Sequence, residues 1–108
     1  MLRVYSDALE VVRELGVVVA QIDRQDPDLA RQLKKARSSI PLNIAEGSHA
    51  RGARRNLHYG YAKGSANECI AVLESAHAAG YIGSVPEPTV DRLRKIIGTL
   101  YNCIGGHR

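Results

Sequence analysis

The sequence predicts an all-α fold, an antiparallel up-and-down four-helix bundle. Three observations point to it. Apolar residues recur three and four apart along four separate stretches, and the period-two alternation of a strand is absent. Asp, Pro and Gly punctuate the chain between those stretches, and such short connections make consecutive helices antiparallel neighbours. The core-forming residues are aliphatic with five Tyr and no Phe or Trp; the abundant Ala and Leu favour helix. A length of 108 residues suits one domain, residues 1–108, with one modest core.

The first helix is expected from Leu2 to Ile22, where Tyr5, Ala8, Val12, Leu15, Val19 and Ile22 recur at helical spacing. Val4, Val11 and Val18 form a second stripe beside the first, with Arg3, Glu10 and Glu14 opposite. This face is wider than one intramolecular seam needs. It serves either a single broad core or, along the Val stripe, contact with another subunit. The second reading makes Val4, Val11 and Val18 the candidate oligomer interface.

Asp26-Pro27 starts the second helix: Asp accepts from free backbone N–H groups, and Pro fits the first helical position. Leu29, Leu33, Ala36, Ile40 and Ile44 line its expected core face. Pro41 removes a backbone hydrogen bond and should kink or divide the helix. Gly47 is expected to end it, leaving His49 to Asn56 as a loop rich in Arg and Gly. The third helix should start near Arg54–Asn56 and reach about Ala79. A helical wheel places Tyr61, Ser65, Cys69, Val72, Leu73 and Ala76 on its core face. The adjacent small residues Gly60, Gly64, Ala71 and Ser75 suggest close approach of another helix. Gly80 and Gly83 end the helix, and Tyr81-Ile82 should fold back as an apolar plug. Pro86 to Pro88 opens the last helix, with Glu87 and Asp91 near its positive end. Its expected core face is Val90, Leu93, Ile97, Leu100 and Ile104, and Gly105-Gly106 stops it.

The run SSIPLNIAEG, a basic loop and then YAKGSANECIAVLESAHAAGYI resemble the four-helix-bundle family of rRNA intervening-sequence proteins. Some members are encoded inside insertions in bacterial large-subunit rRNA genes, and the accessory protein of diversity-generating retroelements is similar in structure. The resemblance spans nearly the whole chain. It is carried by Asn43-Ile44-Ala45-Glu46-Gly47, Gly64-Ser65, Glu68 and Gly80-Tyr81-Ile82. It implies a homopentameric ring of bundles with a basic surface that binds nucleic acid, and it implies no characterised enzymatic activity.

The charge map points the same way independently. Between Arg31 and Lys63, eight basic residues face one acid, Glu46, a net charge of +7. The whole chain is +4, so the remainder carries −3. The eight are Arg31, Lys34, Lys35, Arg37, Arg51, Arg54, Arg55 and Lys63. Such a band is the footprint of phosphate contacts, to RNA or DNA, largely without sequence preference. The plainer reading is a solvated face that aids solubility. His58 and Tyr59 are either bases' stacking partners or ordinary helix-start residues. Asn43, Glu46 and Glu68 are expected to form a polar network that fixes register between helices two and three; a ligand site is the alternative.

Enzymatic readings have less behind them. Glu46-x-x-His49 and Glu74-x-x-His77 match the spacing of di-metal carboxylate bundles, but Glu10, Glu14 and Glu74 face away from the expected core. No nucleophile elbow or phosphate-binding lysine loop occurs. Cys69 and Cys103 read as buried thiols of a reducing cytoplasm. No signal peptide or membrane span is expected. The expected protein is therefore a non-enzymatic, cytoplasmic nucleic-acid binder without cofactor or metal, assembled with copies of itself. The alternative is a scaffold that docks a protein such as a reverse transcriptase.

Overall fold

The computed structural model describes residues 2–104. Five helical segments form the four rods of the bundle: α1 (Leu2–Glu14) and α2 (Gly16–Asp23), then α3 (Pro27–Ser48), α4 (Gly52–Ala78) and α5 (Glu87–Cys103). The bundle measures 42 × 21 × 20 Å. Each rod packs on two others: α3 on α4 and on the α1–α2 rod, and α5 on α4 and α1. Asn43 meets His58 and Ser39 meets Ser65, so α3 and α4 run in opposite directions. Glu14 meets Thr89 and Asp7 meets Lys95, the same relation between α1 and α5.

The first rod is interrupted at Leu15, next to helix-weakening Gly16. Hydrogen bonds from Leu15 N–H to the Val11 carbonyl (3.0 Å) and from Val19 N–H to the Leu15 carbonyl (2.8 Å) carry the ladder through it. Its core seam is Val4, Ala8, Val11, Leu15, Val18 and Ile22, all buried. That seam alternates steps of four and three and runs between the two stripes seen in the sequence. Val4, Val11 and Val18 therefore fill this chain's own core. They present no surface to another subunit, which corrects their assignment as an oligomer interface.

The Asp26 carboxylate accepts from Leu29 N–H at 3.0 Å and caps α3, with Pro27 in the first turn. The helix then runs unbroken through Pro41. The proline removes one backbone hydrogen bond and is itself buried, but the helix continues through it, so the expected division does not occur. Nor does Gly47 end the helix. It is buried, and a Cβ there would overlap the Tyr59 ring; glycine is needed for close approach between helices.

The expected basic loop shrinks to His49–Arg51, because α4 already begins at Gly52. Its buried seam is Tyr59, Ala62, Ala66, Cys69, Leu73 and Ala76, flanked by Val72. The expected face was out of phase in the first half: Tyr61 is 54% exposed and Tyr59 is buried. Gly60 and Gly64 have no neighbouring group near a would-be Cβ, so among the described residues no helix packs there. At the other end Gly80 takes φ +81°. Tyr81 N–H donates to the Ala76 carbonyl (2.8 Å) and Gly80 N–H to the His77 carbonyl (3.0 Å), a Schellman end. Ile82 is buried, and Tyr81 packs beside it. In α5 the buried residues are Thr89, Val90, Leu93, Ile96 and Leu100; Ile97 and Ile104 are half-buried. Gly105 and Gly106 lie outside the described residues.

Candidate nucleic-acid interface

The eight basic residues divide by what their side chains already do. Arg31, Lys34 and Lys35 lie on the outer side of α3, and Arg51 and Arg54 lie at the start of α4; all five are exposed. Arg31 pairs with Asp28 at 2.8 Å, but both side chains are well exposed, and such a pair holds weakly. Arg37, Arg55 and Lys63 are instead half-buried and engaged. Arg37 donates to the Val12 carbonyl at 3.2 Å and ties α3 to α1. Arg55 donates to the Cys103 carbonyl at 3.4 Å, at the C-terminal end of α5, where carbonyls lack helical partners. Its guanidinium also lies 5.9 Å from the Tyr59 ring centre. Lys63 sits 5.3 Å from the Tyr101 ring centre. These three cations brace the bundle.

Arg54 and Arg55 were expected in a loop; both lie in the first turn of α4. The exposed cations thus fall in two groups, one on α3 and one at the start of α4. Along α3 they are separated by roughly 20–25 Å at 1.5 Å per residue.

Between the two groups, a polar chain joins α3 to α4. Ser65 Oγ donates to Ser39 Oγ at 2.8 Å, and Asn43 Nδ2 donates to Ser39 Oγ at 2.9 Å and to the Ser39 carbonyl at 3.0 Å. With that amide donating to Ser39, Asn43 Oδ1 accepts from His58 Nδ1 at 3.1 Å. The chain's four members are half-buried. The expected network therefore contains Asn43 but neither Glu46 nor Glu68. Both glutamates are exposed and take no part in these hydrogen bonds. Sequence reading missed Ser39, His58 and Ser65 because serine and histidine are common on solvated helix surfaces; only pairing across helices marks them.

Family comparison follows from this architecture. A family model described as 23S rRNA-intervening sequence protein matches residues 1–104. The chain belongs to that family. Its fold is also that of a crystal structure of a Bacteroides thetaiotaomicron protein of unknown function from the S23 ribosomal protein family. The two share 21% identity, with a TM-score of 0.83 over 95% of this chain and 99% of the other. No curated protein matches the sequence.

The family motif acquires physical meaning here. Asn43 and Ser65 each donate to Ser39 Oγ within the α3–α4 chain, and Gly47 admits the Tyr59 ring. Gly80 supplies the left-handed helix end and Ile82 the plug. His49, His77, Glu46 and Glu74 are exposed, and among the described residues no group of three His, Cys, Asp or Glu is placed to hold a metal ion. Cys69 is buried, and burial with the nearby Glu68 charge pushes its thiol up to about 12, against the pull of Arg37. Cys103 is half-buried, less than expected. Among the described residues no helix is long and apolar enough to cross a membrane.

Proposed function

We propose that this member of the family is a non-enzymatic nucleic-acid-binding protein that contacts phosphate backbones and assembles with copies of itself. The carrying observation is the set of five exposed cations in two groups, Arg31, Lys34 and Lys35 on α3 and Arg51 and Arg54 at the start of α4. A molecule whose remaining sequence is net acidic concentrates its attraction for phosphates there. Backbone contacts of this kind carry little sequence information, so binding is largely nonspecific.

Self-assembly rests on a different face from the one expected. In the strip Gly60, Gly64, Ala71 and Ser75 on the outer side of α4, a Cβ at either glycine would meet nothing within 4 Å among the described residues, and Ala71 and Ser75 are exposed. Small residues there let a neighbouring backbone come close, and a pentamer remains the expectation from the family resemblance. Repeating the cations in each subunit would raise avidity.

The test is an electrophoretic shift with RNA and DNA at low and high salt. Lys34, Lys35, Arg51 and Arg54 are changed together to Glu, leaving Arg37 and Arg55 as braces. The expected result is a wild-type shift that weakens with salt and is lost in the variant, with circular dichroism unchanged. A wild type that shifts neither polymer at low salt overturns the proposal. Nuclease-resistant co-purification with a protein would then favour the scaffold reading.

A further inference from the structure

The α3–α4 groove carries more than charge. Tyr61 is 54% exposed, Leu42 65% and Leu57 51%. The Asn43–His58 and Ser39–Ser65 pairs bring Leu42 level with Tyr61 across the groove. Tyr61 is also braced. The His58 ring meets it edge-on, with centres 6.2 Å apart and planes at 86°, and Asn43 holds His58. Holding an exposed aromatic ring in place lowers the ordering cost of stacking against it. Arg54 lies two helical turns before Tyr61, about 10 Å along the axis. In the other direction, Lys35 and Ser39 of α3 and Ser65 and Glu68 of α4 line one cleft. Lys35 also lies beside Arg31, Lys34 and Ser38 on the open outer surface of α3. Cation, aromatic platform, hydroxyls and then a cation beside a carboxylate thus follow one another along the groove.

We propose that the groove holds an unpaired nucleic-acid strand, one base stacked on Tyr61 and the flanking phosphates met by Arg54 on one side and Lys35 on the other. This deepens the nucleic-acid function proposed above and rests on it. A duplex hides the base faces that Tyr61 would contact, whereas a single strand offers both its bases and its phosphates. Glu68 keeps the strand's phosphates on the outer side of Lys35, towards Lys34 and Arg31.

The test is fluorescence anisotropy of a labelled single strand and of its duplex at low salt, using wild type, Tyr61→Ala and Tyr61→Phe. Light scattering checks that assembly is unchanged. Tyr61→Ala should weaken single-strand binding about tenfold, within the usual range for one stacked base. It should leave duplex binding within twofold, and Tyr61→Phe should keep wild-type affinity for both. A second readout needs no variant: a single strand carrying 2-aminopurine should lose fluorescence on binding. Wild-type single-strand binding with no 2-aminopurine change, or with Tyr61→Ala indistinguishable, overturns this inference and leaves the phosphate-binding function standing. Failure of wild type to bind either polymer overturns both.

Discussion

At the scale of single residues, close approach and burial decide the consequences of substitution. Gly47→Ala places a methyl group into the Tyr59 ring. It should cost about 1–3 kcal/mol in urea unfolding, the usual range for overpacking. Gly64→Ala meets open space and should be neutral or slightly stabilising for the isolated chain, since Ala is the better helix former. Equal melts for the two variants would contradict the close contact at Gly47. Cys69 makes a pH-dependent prediction. Its folded thiol titrates near 12, above the ordinary 9.0. The stability this gives is complete below about pH 9 and falls as pH rises towards 12, while the unfolded thiol ionises. Cys69→Ala should therefore lose less stability than wild type between about pH 8 and pH 10.5, measured by urea midpoints. Parallel losses would contradict the burial of Cys69.

At the scale of elements, the α3–α4 pairing rests on Ser39, Asn43, His58 and Ser65. Asn43→Ala removes the His58 partner and leaves Ser39 with Ser65 alone, and should cost about 1–3 kcal/mol. Glu46→Ala and Glu68→Ala, at exposed positions, should stay within about 0.5 kcal/mol. Thermal melts of the three variants check this; equal losses would restore the glutamates to the network. Helix ends were legible in sequence because Asp26-Pro27, Gly80 and Pro86 act locally, through capping and backbone angle. Helix phase was less legible. Leu57, Tyr59 and Tyr61 are all apolar enough to face a core, and the choice of Tyr59 depends on Gly47, twelve residues earlier and on another helix. Ile96 and Ile97 pose the same ambiguity. The Val4, Val11 and Val18 stripe was misassigned because the true seam passes between two stripes and takes residues from both.

At the scale of the whole molecule, the basic band was visible in the sequence, but the roles of its members were not. Arg37, Arg55 and Lys63 differ from Lys34 or Arg54 only in what the fold brings near them: a carbonyl of α1, the end of α5 and the Tyr101 ring. A count of charges cannot separate braces from free cations. Of the band's eight cations, five are therefore exposed and three are engaged within the chain.

The most direct measurement of the central claim is the salt dependence of single-strand affinity in wild type and in the variant with Lys34, Lys35, Arg51 and Arg54 changed to Glu. Each phosphate contact contributes about −0.7 to the slope of log affinity against log salt. Wild type should give a slope of roughly −3 if four or five contacts form per chain, and the variant should show no measurable binding. Wild-type affinity that is independent of salt, or a variant that binds like wild type, would contradict phosphate recognition by these side chains.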